Sequence, residues 1–371
     1  MAGHIRVLIV DDSALMRRKI REILESDPRI EVVAAARNGQ DAVELVHQHQ
    51  PDVVTLDINM PVMDGVTALQ IIMAESPRPV VMLSSLTQKG ALTTLECLEL
   101  GAVDFVGKPS GTISVDLEVQ AREIVDKVVG AARSRPRPRV GSAPPTAGPE
   151  PPRPRTRRRR PPARMTAGAG GSARPARTLV AIGCSTGGPK TIMEIVPRLP
   201  AELPAAVAIV QHMPESFTAS FASRIDGESA LSVKEAESGE VLLEGHGYVA
   251  RGGSHLVFGR RAMGTGFLAR YTAEPSDALH IPSVDVMFDS AADTFGDRVV
   301  GVLLTGMGAD GADGMVKIRR LGGRTIAEDE STCVVFGMPA RAIERGGAEK
   351  VLPCHAIADA VVEILEGEGS G

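Results

Sequence analysis

Short runs of β-branched and aliphatic residues, each broken off by a polar residue or a glycine, constrain the fold of this chain most. In the first 130 residues they read VLIV (7–10), EVVAAA (31–36), VVTLD (53–57), VVMLSS (80–85) and DFV (104–106). From residue 178 they include LVAIG (179–183), AAVAIV (205–210), VVGVLL (299–304), RTIA (324–327) and KVLP (350–353). Continuous apolar runs this short suit strands buried on both faces of a parallel sheet. The stretches between them carry helical stripes. Met16, Ile20, Ile23 and Leu24 share one face, as do Phe288, Ala291, Ala292 and Phe295. Each half therefore predicts a doubly wound α/β domain, whose chemistry belongs beyond the carboxyl ends of its strands. Trp is absent and aromatics are 3% of residues, so the cores must be aliphatic.

Between Arg133 and Arg177 the pattern vanishes. That segment holds 13 Arg, no Lys, one acid (Glu150) and 11 Pro. It carries +12 in a chain whose net charge is −5, which leaves −17 for the rest. With almost no large apolar side chains, it cannot bury enough surface to offset the entropy of ordering its backbone, so a disordered linker is expected. The resulting division is a domain over 1–130, a linker over 131–177 and a second domain over 178–371. The run from Arg157 to Arg160 offers contact to nucleic acid or anionic lipid, but a solvated charged linker is the favoured reading.

In the first half, Asp11 and Asp12 follow the first strand and Asp57 ends the third. Adjacent parallel strands would gather these carboxylates at one sheet edge. Their mutual repulsion calls for a cation, and an all-oxygen site that keeps some water suits Mg²⁺. Ser84 and Lys108, after the next two strands, add a hydroxyl and an ammonium. A single strand-end Asp fits a helix N-cap as well, and Asp12 with Ser13 suits that role; the whole set does not. IVDDS, TLDINMPVMDG, MLSS and FVGKP resemble the response-regulator receiver family over about residues 4–130. The resemblance implies a flavodoxin-like receiver with Asp57 as phosphoacceptor and Asp11, Asp12 and Asp57 as Mg²⁺ ligands. It also implies that Lys108 pairs with the phosphate, that Ser84 is the switch residue, and that a sensor histidine kinase supplies the phosphoryl group. A phosphoryl group adds strong acceptors that would draw the loops of Ser84 and Lys108 inward.

In the second half, Gly183-Cys184-Ser185-Thr186-Gly187-Gly188-Pro189 joins a strand to a helix whose face is Ile192, Ile195, Val196 and Leu199. Ser185 would stand on the turn near a helix N-terminus, which favours negative charge; taken alone, it also fits a cap. His212 follows the next strand. Asp310 lies in TGMGADGADG after VVGVLL. A serine hydroxyl needs an imidazole to take its proton, and the imidazole needs a carboxylate to fix its tautomer, so one of each at this edge meets the needs of acyl transfer. IGCSTGGP, QHMP and LLTGMGADGA resemble the catalytic domain of chemotaxis protein-glutamate methylesterases over about 178–367. The resemblance implies a mostly parallel-sheet serine hydrolase with Ser185 as nucleophile, His212 as general base and acid and Asp310 as its orienter. The Met307 backbone N–H would serve the oxyanion hole, with Thr186 beside it. The implied substrates are glutamate γ-methyl esters, and certain glutamines, on chemoreceptors. In that family the unphosphorylated receiver covers the active site. A coil of about 45 residues spans roughly 35–40 Å or more, which lowers the receiver's effective concentration and predicts leakier inhibition here.

Three other readings compete. Gly183 to Thr191 approaches a P-loop, but Pro189 shifts the lysine by one position and removes an N–H needed for phosphate. Gly183-Cys-Ser185-Thr-Gly187 fits GxSxG, and an α/β-hydrolase order would pair Asp310 with His355. A DNA-binding regulator would need a basic, smaller output domain, whereas the second half is acidic and about 190 residues long. Asp277 and Asp285, in the DALHIPSVD loop before a helix, could line a substrate groove or cap, and capping is the favoured reading. No apolar run approaches the ~18 residues that cross a bilayer, and the four cysteines lack metal or disulfide spacing. A cytoplasmic protein without membrane insertion is expected.

Overall fold

The computed structural model describes residues 4–84, 88–108, 115–134, 174–262 and 265–368. The apolar runs of the first half become β1 (Ile5–Val10), β2 (Ile30–Ala36), β3 (Val53–Asp57), β4 (Val80–Ser84) and β5 (Asp104–Gly107). They pair in parallel in the order β2-β1-β3-β4-β5. Because β1 has β2 on one side and β3 on the other, the crossovers change direction there, which opens a crevice beyond β1 and β3. Helices α1 (Ala14–Glu25), α2 (Gly39–His49), α3 (Gly65–Glu75), α4 (Gln88–Leu100) and α5 (Val115–Arg133) cover the two faces. Ile20 and Leu24 are fully buried on α1, with Met16 and Ile23 packed beside them, as the stripe requires.

The second half forms a seven-stranded sheet. Its strands are β6 (Leu179–Cys184), β7 (Ala206–Gln211), β8 (Ser232–Glu235), β9 (His246–Val249), β12 (Val299–Leu303), β13 (Arg324–Glu328) and β14 (Lys350–Leu352). The order is β14-β13-β12-β6-β7-β9-β8, and every pairing is parallel. Here β6 lies between β7 and β12, so the switch point falls at the strand that leads to Ser185. Helices α6 (Gly188–Ile195), α7 (Glu215–Glu228), α8 (Val284–Phe295), α9 (Ala312–Arg320), α10 (Met338–Glu344) and α11 (Cys354–Glu368) complete the layers. The striped face expected on α6 is interrupted. Pro197 has no N–H to continue the α-helical ladder, so the chain tightens into a 3-10 turn over Val196–Arg198.

Four strands escape a search for continuous apolar runs. β8 is short and polar, and β9 (HGYV) is short and carries His246 and Gly247 ahead of the buried Tyr248 and Val249. β10 (His255–Arg260) and β11 (Phe267–Thr272) form an antiparallel hairpin outside the main sheet. Its half-buried strands mix His255, Leu256 and Phe258 with Arg260 and Arg270, so they show no apolar run.

Order extends past both expected edges of the linker. α5 runs to Arg133, with Ala131 buried. At the other end Ala176 is buried and its N–H bonds the Leu242 carbonyl, while Pro175 bridges to Leu243. The remainder of that segment, including Arg157 to Arg160, lies outside the described residues. No helix among the described residues is long and apolar enough to cross a membrane, and all four cysteines are free.

The two sheets' helices meet along α4, α5 and α7. The Phe105 ring from β5 packs on Phe217 of α7 with centroids 4.5 Å apart, and Glu99 of α4 pairs with Arg224 of α7. Toward its C-terminus α5 brings Gly130 against Thr186, Met307 and Val335.

Candidate active site and phosphoacceptor pocket

Parallel register places the first two residues of interest side by side. Cys184, at the end of β6, pairs with Gln211, at the end of β7. Ser185 and His212 follow these two strands directly, and both side chains are largely buried. The turn that bears Ser185 is held from several sides. The Ser185 N–H bonds the Thr305 carbonyl at 3.0 Å, the Thr305 hydroxyl bonds the Thr186 carbonyl at 2.9 Å, and the His212 N–H bonds the Cys184 carbonyl. Ser185 does not cap α6. The N-cap is Gly187, in the left-handed region at φ 81°, and it makes no side-chain cap bond. At Gly188 a Cβ would lie 2.0 Å from Gln211 Oε1, so the turn is built around that glutamine. Gln211 Nε2 donates to both the Ser185 and the His212 carbonyls at 3.0 Å, and its Oε1 accepts from the Cys184 thiol. One buried amide thus ties the serine's loop to the histidine's.

Asp310 arrives from the loop after β12. Its carboxylate takes four hydrogen bonds. Oδ2 accepts from His212 Nε2 at 2.8 Å and from the Val284 N–H at 2.7 Å, and Oδ1 accepts from the Ser283 hydroxyl at 2.8 Å and the Asp285 N–H at 2.9 Å. Burial opposes its ionisation, but the His212 hydrogen bond and charge, together with the two main-chain donors, outweigh it. The carboxyl is held well below its ordinary range. With Nε2 engaged, His212 Nδ1 is the ring nitrogen left over. It is buried and has no hydrogen-bond partner among the described residues. The His280 ring stacks on His212 at 4.0 Å. Burial first, then the neighbouring His212, lowers His280 to about 3, so it stays neutral at physiological pH. The Met307 N–H meets no main-chain acceptor among the described residues.

The rival pairing of Asp310 with His355 is not present: His355 is exposed at the start of α11, and Asp310 is saturated by other groups. Of the two aspartates expected to cap, Asp277 is exposed in its loop. Asp285 does cap, but its oxygen receives the Gly314 N–H of α9 at 2.7 Å, while the cap of its own helix α8 is Ser283. Two further polar groups had no sequence signal beyond standing at strand ends: Gln211, and Glu328 at the end of β13. Glu328 is fully buried with Oε2 receiving the Thr305 N–H at 2.8 Å, and burial raises its carboxyl above the usual range.

Burial, then the nearby Asp310 charge, pushes Asp285 up to about 6, against the lowering effect of the Gly314 N–H. A carboxyl raised on folding holds its proton longer in the folded than in the unfolded chain, so stability falls as pH rises from about 4 through 6. Asp285→Asn keeps an acceptor for Gly314 and removes that charge. It is expected to raise Tm by about 2–4 °C at pH 8 and to leave it unchanged below pH 4. An equal or lower Tm at pH 8 would refute this.

In the other domain, oxygens of Asp11, Asp12 and Asp57 approach within 4.8 Å of one another, with Asp11 and Asp57 buried and Asp12 exposed. Asp12 is not the cap of α1; Ser13 is, accepting the Met16 N–H. Lys108 Nζ stands 2.8 Å from both Asp11 and Asp57. Burial raises the Asp57 carboxyl, against the pull of Lys108. Burial works against the charge on Lys108, but Asp11 and Asp57 together raise it. Ser84 is buried at the end of β4, hydrogen-bonded at 2.7 Å to Thr94 of α4. The oxygen-only set around a buried pair of carboxylates suits a hard divalent cation.

Known proteins share this organisation. The family model of the CheB methylesterases matches residues 180–361, and that of the response regulator receiver domain matches 7–119. A protein-glutamate methylesterase/protein-glutamine glutaminase 2 of Carboxydothermus hydrogenoformans is 52% identical over 373 residues, covering 98% of this chain and 99% of that protein. One from Symbiobacterium thermophilum is 51% identical over 365 residues, 98% of each chain. The crystal structure of the Thermotoga maritima CheB methylesterase catalytic domain is 43% identical, spanning 50% of this chain and 98% of that one, with a TM-score of 0.48.

Proposed function

Because this chain belongs to the protein-glutamate methylesterase/protein-glutamine glutaminase family, we propose that Ser185, His212 and Asp310 are the catalytic triad with which it removes receptor methyl groups. The enzyme hydrolyses glutamate γ-methyl esters and deamidates glutamines in chemotactic adaptation, under the control of receiver phosphorylation. The single observation that carries the triad reading is the His212 ring. Its Nε2 is fixed on Asp310, its buried Nδ1 has no hydrogen-bond partner among the described residues, and strand register sets His212 and Ser185 just past the ends of neighbouring strands.

With Nε2–H donating to Asp310, Nδ1 is unprotonated and can accept. The Ser185 Oγ attacks the γ-carbonyl carbon while its proton passes to Nδ1. The oxygen that gains charge is met by the Met307 N–H, with Thr186 beside it. The tetrahedral centre then expels methoxide, which takes the proton from Nδ1 and leaves as methanol. Water attacks the acyl-enzyme by the reverse proton path and releases glutamate. A glutamine substrate follows the same course with ammonia as leaving group. Asp310 stays ionised throughout, and its four donors keep it so.

Asp57 is the phosphoacceptor, Asp11, Asp12 and Asp57 would hold Mg²⁺, and a histidine kinase is the donor. The cation would offset charge around the phosphoryl group. Lys108 would pair with that group, and Ser84 would leave Thr94 to reach it. The substrates are chemoreceptors and the setting is the cytoplasm; nucleic acid and membrane insertion have no part. The packing of Phe105 on Phe217, the Glu99–Arg224 pair and the seat of Gly130 against Met307 support a receiver that obstructs the site. The test is methanol release from methylated receptor, with and without a small phosphodonor and Mg²⁺. The phosphodonor should raise the rate of the full chain and leave Asp57→Asn at its basal rate, and Arg224→Glu should raise the basal rate several-fold by setting two acids face to face. A phosphodonor response that persists in Asp57→Asn would contradict the reading.

A further inference from the structure

The helix that grips Asp310 is itself held by a buried histidine. Val284 and Asp285 are the first residues of α8, and their N–H groups, with the Ser283 hydroxyl, supply three of the four bonds to the carboxylate. Ser283 as N-cap has a main-chain N–H that no helical carbonyl can take. That N–H donates to His255 Nδ1 at 3.0 Å. His255, on β10, is fully buried, and its Nε2 lies 3.1 Å from the Pro275 carbonyl.

The partners fix the proton positions. A peptide N–H can only donate and a carbonyl can only accept, so Nδ1 is bare and Nε2 carries the proton. The Ser283 hydroxyl faces a carboxylate, so it donates to Asp310 and uses its lone pair for the Val286 N–H at 3.3 Å. An ordered line therefore runs from the Pro275 carbonyl through His255 and Ser283 to Asp310 and His212. The hairpin of β10 and β11, which adds nothing to the main sheet, supplies the anchor.

The geometry points to His255 as a positioning residue for the triad: by accepting the Ser283 N–H it sets where the first turn of α8 presents its donors to Asp310. This rests on the reading of Asp310 as the orienting carboxylate. Its effect falls on the chemical step, because a small misplacement of a catalytic group costs rate more than binding.

Two polar replacements split the two bonds. His255→Asn keeps an acceptor near the place of Nδ1 and loses the reach to Pro275. His255→Gln keeps a donor toward Pro275 and loses the acceptor close to Ser283. Methanol release from methylated receptor by the full chain should show kcat within about threefold of the parent for His255→Asn and about 10–100-fold lower for His255→Gln, with KM within about twofold in both. Ser283→Ala should lower kcat alone, and adding it to His255→Gln should cost little more, because both act through one path. If the Gln variant is as active as the Asn variant or more so, or if the two losses multiply, the inference is overturned. Asp310→Asn separates this from the underlying reading: should it keep the parental kcat, both fall, and should it lose activity while residue 255 behaves otherwise, only the present inference falls.

Discussion

Methanol release should fall by about 10⁴-fold or more in His212→Ala, whereas His355→Ala should stay within about twofold of the parent. The two histidines follow two strands of the same sheet, and both suit a serine-hydrolase motif read from sequence. Their surroundings differ. His212 is buried, stacked on His280, and bonded through Nε2 to Asp310. In the proposed triad, removing it strips the serine of its base and leaves the Asp310 charge facing a hole. His355 is exposed on α11, where alanine disturbs nothing that faces the site. Loss of activity in His355→Ala with retention in His212→Ala would mean that the acyl-transfer chemistry follows the other chain order.

The second large effect is expected at Asp310. Four donors converge on its two oxygens, so an isosteric amide must set its NH₂ against donors at one of them. The less costly choice puts the NH₂ at the Oδ1 position, where the Ser283 hydroxyl can turn to accept and only the Asp285 N–H loses its partner. The amide oxygen then still meets His212 and Val284. The ring orientation survives in part, but the charge that steadies a protonated imidazole is gone. Asp310→Asn should therefore lower kcat by about 10³–10⁴-fold with little change in KM. A loss smaller than tenfold would remove Asp310 from the mechanism.

Much of the site was legible because parallel sheets place chemistry at strand ends. Asp57, Ser84, Lys108, Ser185 and His212 stand at or just past the end of an apolar run and Asp310 lies in the loop after one, and β-sheet register turns that linear coincidence into spatial proximity. Ser185 and His212 are brought together by the pairing of β6 with β7. The groups that support them were not legible. Gln211 looks like the last residue of a strand, and only the fold shows its amide bridging two loops. Ser283 and His255 are 28 residues apart and on different elements, which no periodicity connects. Asp285 was read correctly as a cap and assigned to the wrong helix, because the N-terminus it serves belongs to α9, packed alongside. β8, β10 and β11 were missed because partly exposed strands mix polar with apolar residues, and β9, though mostly buried, is only four residues long and broken by Gly247, so a search for continuous apolar runs passes over them.

Replacement of Ser185 by alanine tests the central claim most directly. The proposed mechanism has one nucleophile, the Ser185 hydroxyl, and without it the acyl-enzyme cannot form. With methylated receptor as substrate and the receiver phosphorylated, Ser185→Ala should release methanol no faster than receptor alone, while Tm stays within a few degrees of the parent. A folded Ser185→Ala protein that still releases methanol within tenfold of the parental rate would contradict the account.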